Sequence, residues 1–492
     1  MIKFGNQLQL IKFEVLREVA KAAMNNNLED EYEKIPEKII PGPKPRNRCC
    51  IYNERAIIKD RVALAMGGDK ENKNIIEILP SACDACPINR FTITEACRGC
   101  LAHRCSEACP VDAIFHVGQR AYINQEKCVE CGRCRDACQY NAVSDVLRPC
   151  RGACPTKALT LDKDKLVVID DELCIQCGAC ITRCPFGAID DKSYIVDIID
   201  LIKKSDNNKN YKVYAAVAPS IASQFKTVKL GQVIGAIKKL GFHDVVEVAL
   251  GADITAYHET QEFAEEIKEK KFITSSCCPA FVAHVQKMYP ELSEHISTTI
   301  SPMITISRLL KHEDENAKVV FIGPCMAKKA EIQQEDLAGS TDYVMTFEEM
   351  YAMFEASEIN LEECEEEKFE GASLFGRIFA RSGGLSEAIS HVIEKENLKL
   401  DFNPIRCDGI KECDKTLKIA KVNRLQENFI EGMACKGGCI GGAAALKVEK
   451  TDRKKVDDYG KLSIDKGIKD SIEKYKEYKI NMHRKDMKKG SN

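Results

Sequence analysis

The residues best equipped for chemistry in this chain are its thiols, and the most unusual of them are the adjacent pair Cys277 and Cys278 in TSSCCPAF. Neighbouring side chains leave the backbone in different directions, so the two can hardly ligate one ion or bond to each other without strain. Separate tasks are implied. The chain of 492 residues holds 26 cysteines. Its first residues, MIKFGNQLQLIKFEVLREVAK, mix apolar and charged positions at helical spacing without a cleavage-like site, and no apolar run is long enough for a bilayer. The expectation is a cytoplasmic chain. In a reducing compartment dense cysteine means metal binding, redox chemistry or both.

Spacing sharpens this. Residues 174–185, CIQCGACITRCP, resemble the C-x2-C-x2-C-x3-C-P run of bacterial ferredoxins, in which three cysteines hold one 4Fe-4S cubane and the fourth reaches a second. CVECGRCRDAC at 128–138 repeats the spacing without the proline, and CRGCLAHRCSEACP at 97–110 is a variant with a longer gap. Structural zinc also uses C-x2-C pairs but needs only four ligands and does not call for triplets. By the fourth-cysteine rule, Cys97, Cys100 and Cys105 take Cys138, and Cys128, Cys131 and Cys134 take Cys109. The run at 174 needs a partner half, yet RPCRGACP offers only Cys150 and Cys154. The missing pair, Cys83 and Cys86, stands before the first ferredoxin in SACDACP. Reading 87–149 as an insertion gives an outer unit with ligand sets Cys83, Cys86, Cys150, Cys184 and Cys154, Cys174, Cys177, Cys180. Sixteen cysteines and four 4Fe-4S clusters follow. Insertion is tolerated where chain ends meet at a surface.

The elements that must hold the remaining thiols change in texture. From about residue 205, apolar runs such as YKVYAAVAPS, HDVVEVALGAD, KKFITSS and AKVVFIGPC are each followed by a helical pattern, which indicates an α/β domain built on largely parallel sheet. Cys277 and Cys278, Cys325, and Cys435 with Cys439 sit at strand ends, where such folds bind ligands and helix N-termini favour anions. The division expected is a helical cap at 1–80, nested ferredoxin-like α+β units at 81–195 (inner about 87–149, outer 81–86 plus 150–195), an α/β catalytic domain at 205–448 and a charged helical tail at 449–492. Charged residues make up 30% and net charge is −3, which argues against nucleic acid or an anionic membrane as partner. Cys49, Cys50, Cys364, Cys407 and Cys413 receive no role.

Together TSSCCPAF at 274, GPCMAKKAE at 323 and EGMACKGGCIGG at 431, behind a ferredoxin region, resemble the iron-only (FeFe) hydrogenases, in the branch with extra ferredoxin-type cysteines. The resemblance covers about 83–448. It implies that Cys278, Cys325, Cys435 and Cys439 hold the cubane of an H-cluster, with Cys439 bridging to a diiron subsite carrying carbonyl, cyanide and a dithiolate bridge. It further implies that Lys328 and the backbone at Ala218, Pro219 and Ser220 meet the cyanides, that Met433 is a retained pocket residue, and that Cys277 stays free to pass protons through Glu259, Ser297 and Glu262. Glu259 and Glu262 fall at i and i+3 on one helix face. The implied activity is reversible oxidation of dihydrogen to protons and electrons, with a ferredoxin-like redox partner and maturation proteins for the diiron subsite.

Some positions depart from the family's usual pattern. Ala280-Phe281 replaces a glycine-tryptophan pair, Gly323 stands where a methionine is usual, and Met303 replaces a glutamine. Two other readings belong to the same superfamily. One is an iron–sulfur assembly scaffold, against which the free Cys277, Lys328 and the acidic pair argue; the other is a hydrogen sensor, for which no added signalling domain is read in 449–492.

Overall fold

The computed structural model describes residues 4–484 other than 49, 84, 226, 370, 465 and 466. Cys49 lies outside the described residues. The middle of the chain forms two parallel sheets. One orders Asp244–Glu247, Val213–Val217, Lys318–Gly323 and Tyr343–Thr346. Its inner strands, VYAAV and KVVFIG, are near-continuous apolar runs because helices cover both faces. The other sheet orders Ile273–Thr274, Phe429–Met433 and Pro404–Asp408. The protein is thus an α/β domain preceded by a ferredoxin-like region. The sequence pattern anticipated the parallel strands but not their division into two sheets.

Helix Val248–Glu266 is buried around most of its first half, from Val248 through Ala256, because helices Pro302–Glu313, Leu374–Ile378 and Gly384–Lys395 pack around it. Gly251 permits the closest approach: a Cβ there would collide with the Pro302 carbonyl oxygen. This helix carries Glu259 and Glu262 towards the ends of the strands.

Strand pairing between residues 76 and 191 is nested. Ile76–Ile78 pairs with Ile189–Asp191 and encloses the rest; within it Phe91–Ile93 pairs with Val143–Asp145, and that pair encloses the hairpin Ile114–Val117 with Arg120–Ile123. A separate hairpin joins Leu159–Leu161 to Val167–Ile169. Helix Gln7–Met24 buries Phe13, Val15, Leu16, Val19 and Ala20 against helices Phe347–Ala356, Ile195–Lys204 and Ile51–Ala65. Cys50 is exposed and caps Ile51–Ala65, its sulfur accepting from the Asn53 amide at 3.4 Å. The carboxyl-terminal segment includes helices Asp452–Lys461 and Ile468–Ile472.

A buried ion network ties cap, ferredoxin region and α/β domain together. Lys12 Nζ lies 2.7 Å from Asp190, 2.8 Å from Asp191 and 3.2 Å from Glu348. Arg61 pairs with Asp190 at 2.7 Å. Lys329, fully buried, donates to Asp191, Glu349 and the Lys192 carbonyl, each at 2.8 Å. Among the described residues no helix is long and apolar enough to cross a membrane.

Candidate metal centres and active site

Four cysteine quartets form between Cys83 and Cys184. Cys97, Cys100, Cys105 and Cys138 line one cavity. Cys109, Cys128, Cys131 and Cys134 line a second. Cys154, Cys174, Cys177 and Cys180 line a third. Cys83, Cys86, Cys150 and Cys184 are near enough that Cys150 is pushed up to about 11, first by burial and then by its three neighbours. These are the groupings that spacing proposed, including the one that spans the insertion.

A local rule recurs at the last cysteine of each half. Cys109, Cys138, Cys154 and Cys184 each accept, at 3.2–3.3 Å, the amide of the alanine four residues on. Such N–H donors favour a thiolate. Burial works the other way, raising Cys177 to about 12, so thiolates persist there only with a cation to hold, and loading releases protons. Among the described residues no three His, Cys, Asp or Glu side chains could share one metal ion. A tetrahedral zinc, ~2.3 Å from each sulfur, would draw four thiols within ~4 Å of one another. The quartets are spread too widely for one ion, a spacing that fits cubanes.

A fifth quartet gathers at the strand ends of both parallel sheets. Cys278 caps helix Pro279–Met288 just beyond strand Ile273–Thr274, with Pro279 at its first position. Cys325 follows Lys318–Gly323, and Cys435 and Cys439 follow Phe429–Met433. Cys325 is raised to about 11 and Cys439 to about 12, mainly by burial and then by one another or Cys278. Cys435 is pushed well up by burial and by Cys325, Cys278 and Cys439, with a further contribution from Cys177 of the third quartet. The two centres are neighbours because Gly178, at φ 76°, fits where a Cβ would lie 2.7 Å from Ala443 Cβ and from Met326 Sδ.

Around this quartet the other expected residues converge. Cys277 is buried, and burial first and Glu259 second push its thiol well up. Lys328 Nζ donates to the Cys277 carbonyl at 3.3 Å and to Glu331 at 2.6 Å. Ala218, Pro219 and Ser220 follow strand Val213–Val217, and the buried Ser220 hydroxyl has no partner. Met433 ends its strand, 2% exposed. Phe281 covers Gly432, which has no side chain to obstruct the ring. A Cβ on Gly323 would meet the Phe321 ring at 2.7 Å, so Phe321 occupies part of the space a larger residue there would need.

The acidic pair divides sharply. Glu259 is fully enclosed, neither carboxyl oxygen has a hydrogen-bond partner, and burial followed by the charge of Glu262 lifts it to about 8. Glu262 feels burial too, but donors outweigh it: Ser297 Oγ at 2.7 Å, the Thr298 amide at 2.6 Å and the Thr298 and Thr299 hydroxyls at 2.8 Å hold it below the usual range. Ser297 thus donates to Glu262, while it and the Ser276 amide lie close enough to Glu259 to oppose the rise. Sequence reasoning missed Thr298, Thr299, Glu331 and Arg484, whose guanidinium meets Glu331 at 3.0 Å. Glu331 was legible from its i+3 spacing to Lys328.

Quartets of ferredoxin pattern beside a parallel-sheet domain that presents a fifth quartet define a multi-cluster iron–sulfur protein. Residues 211–443 match the family described as the iron only hydrogenase large subunit, C-terminal domain. Residues 121–144 match the 4Fe-4S binding domain, and 143–195 the LdpA Fe-S cluster-binding domain. Over residues 211–443 the chain is FeFe-hydrogenase-like. Iron hydrogenase 1 of Clostridium pasteurianum is 28% identical over 411 residues, covering 71% of this chain and 69% of the relative. The periplasmic Fe hydrogenase large subunit of Nitratidesulfovibrio vulgaris is 30% identical, covering 44% and 62%. The cytosolic Fe-S cluster assembly factor narfl of Danio rerio is 24% identical, covering 43% and 64%. Among solved structures, a variant of the FeFe-hydrogenase HydA1 from Chlamydomonas reinhardtii superposes with a TM-score of 0.50 at 19% identity, covering 59% of this chain and 98% of that one.

Proposed function

We propose that this protein is an FeFe hydrogenase that oxidises dihydrogen and reduces protons reversibly, with electrons relayed through four 4Fe-4S clusters. The observation that carries this reading is one cluster of side chains that brings together a cysteine quartet, a free buried thiol, a buried ammonium and two carboxyl groups of opposite protonation tendency. Cys278, Cys325, Cys435 and Cys439 would hold the H-cluster cubane, and Lys328, Ala218, Pro219, Ser220 and Met433 would enclose its diiron subsite. When bound, that subsite supplies the centre at which dihydrogen is split or formed.

The chain's own residues do the rest. Cys277 presents a neutral thiol, since burial and Glu259 disfavour its anion, and so offers a proton rather than a competing ligand. Glu259, lifted to about 8, is protonated at neutral pH, whereas Glu262 is held as a carboxylate. Such a split between neighbouring carboxyl groups makes one a donor and the other an acceptor. Ser297, beside Glu262 and on the side of Glu259, can pass the proton between them. Lys328, braced by Glu331, brings positive charge beside the quartet.

Cys154, Cys174, Cys177 and Cys180 would hold the cluster next to the catalytic quartet, where it would supply electrons, as the nearness of Cys177 to Cys435 favours. The inner unit, with Cys100 and Cys131 exposed, is the entry for a redox partner of ferredoxin type. Assembly of the diiron subsite would need maturation proteins. Similarity to an assembly factor supports a second reading, cluster carriage without turnover. Hydrogen turnover measured after maturation separates the two: sustained evolution and uptake support the enzyme, and absent turnover in protein with a loaded subsite supports the carrier.

A further inference from the structure

Beyond Glu262 the path to solvent is provided by a segment far away in sequence. Residues 481–484 run antiparallel beside 298–300: the Ile300 amide donates to the Met482 carbonyl at 2.9 Å, and the Arg484 amide donates to the Thr298 carbonyl at 2.8 Å. Arg484 is buried and turned inward, its guanidinium 3.0 Å from Glu331 and 2.8 Å from Gln334. His483 points the other way and is exposed. Its Nδ1 lies 2.8 Å from Thr298 Oγ1, which lies 2.8 Å from Glu262 Oε1.

We propose that Thr298 and His483 form the outer end of the proton path, joining Glu262 to solvent. This rests on the hydrogenase reading for its purpose but on hydrogen bonds alone for its existence. The second oxygen of Glu262 is occupied by the Ser297 and Thr299 hydroxyls and the Thr299 amide. Oε1 therefore leads outward, through a hydroxyl that can accept one proton while donating another. With Glu262 a carboxylate, Thr298 must donate to it, so His483 must donate Nδ1–H to Thr298. The chain is aligned to carry protons inward: once solvent protonates Nε2, the imidazolium gives its Nδ1 proton to the threonine oxygen as the threonine gives its own to Glu262, and a neutral imidazole remains. Outward transfer reverses both bonds, leaving an imidazolium that discharges to solvent. Among the described residues His258 on helix Val248–Glu266 also lies near His483, its pKa lowered first by burial and then by His483. His483 is the exposed imidazole of the pair.

Two measurements test this. In matured enzyme, His483→Ala and Thr298→Val should each lower turnover by ~100-fold or more, the low end for a lost proton-transfer group. Thr298→Ser should retain it, and the infrared bands of the diiron subsite should stay in place. Added imidazole should restore His483→Ala but not Thr298→Val. In protein carrying cubanes but no diiron subsite, NMR titration of His483 should show a lower midpoint in Glu262→Gln than in wild type. Full turnover in His483→Ala, a loss that imidazole leaves unrepaired, or a His483 midpoint indifferent to Glu262→Gln overturns the proposal. If wild-type protein turns over no hydrogen, the hydrogenase reading fails instead, and the titration alone decides whether the three groups form one chain.

Discussion

Replacing Glu259 by glutamine isolates the most perturbed acid of the site. Folding carries this carboxyl from the usual 4.5 to about 8, through burial and the charge of Glu262. Between those values the folded protein keeps a proton that the unfolded chain releases, so stability falls as pH rises through the window. At ~1.4 kcal/mol per unit, the fall from pH 6 to 8 is roughly 2–3 kcal/mol from this group. Glutamine cannot titrate. The stability of Glu259→Gln relative to wild type should therefore improve by about that amount across the same interval, read by denaturant unfolding at several pH values. Turnover should fall by ~100-fold or more because an amide cannot relay the proton. Parallel pH profiles for the two proteins would show that Glu259 titrates normally, and the division of labour with Glu262 would be wrong.

Five quartets imply about twenty iron atoms per chain after anaerobic reconstitution without the diiron subsite, and an elemental value near twelve would contradict the nested ligand scheme. Cys83→Ala with Cys86→Ala should remove one cluster, shared with Cys150 and Cys184, and leave the inner unit's paramagnetic signals intact; unchanged iron content would refute that assignment. Lys329→Met leaves Asp191 and Glu349 buried without their shared cation, so unfolding free energy should drop by ~3–5 kcal/mol. Asp191 is held well below the usual carboxylate range by Lys12 and Lys329 against the opposing effect of burial. Its stabilisation is present above its unfolded value and disappears on acidification through the lower folded one, so Lys329→Met should also flatten the acid limb of the stability profile.

Much of the site could be read from the chain because cluster ligation constrains spacing over a few residues. The triplets, the alanine four residues past each closing cysteine and the thiols after apolar strands are all local patterns. Even the quartet across 87–149 followed from an unmatched half-motif. What escaped was decided by packing between distant segments. Nothing near Phe281 announces Gly432 as its seat, and Arg484 meets Glu331 from 153 residues away. Ser297 could be placed beside the acidic pair, but which carboxyl it bonds depends on the turn 297–299, where three consecutive residues all donate to Glu262. The split into two sheets was equally hidden, since each strand carries the same apolar signal.

The adjacent cysteines offer the most direct test of the whole account. Infrared spectra and turnover should be recorded on matured Cys277→Ala and Cys278→Ala beside wild type. Cys278→Ala should show no carbonyl or cyanide bands, because losing a cubane ligand prevents the cofactor from assembling. Cys277→Ala should keep near-normal bands while turnover falls by ~100-fold or more, with Cys277→Asp recovering part of it. Full activity in Cys277→Ala, or loss of its bands as in Cys278→Ala, would contradict the assignment of one neighbour to the metal and the other to the proton.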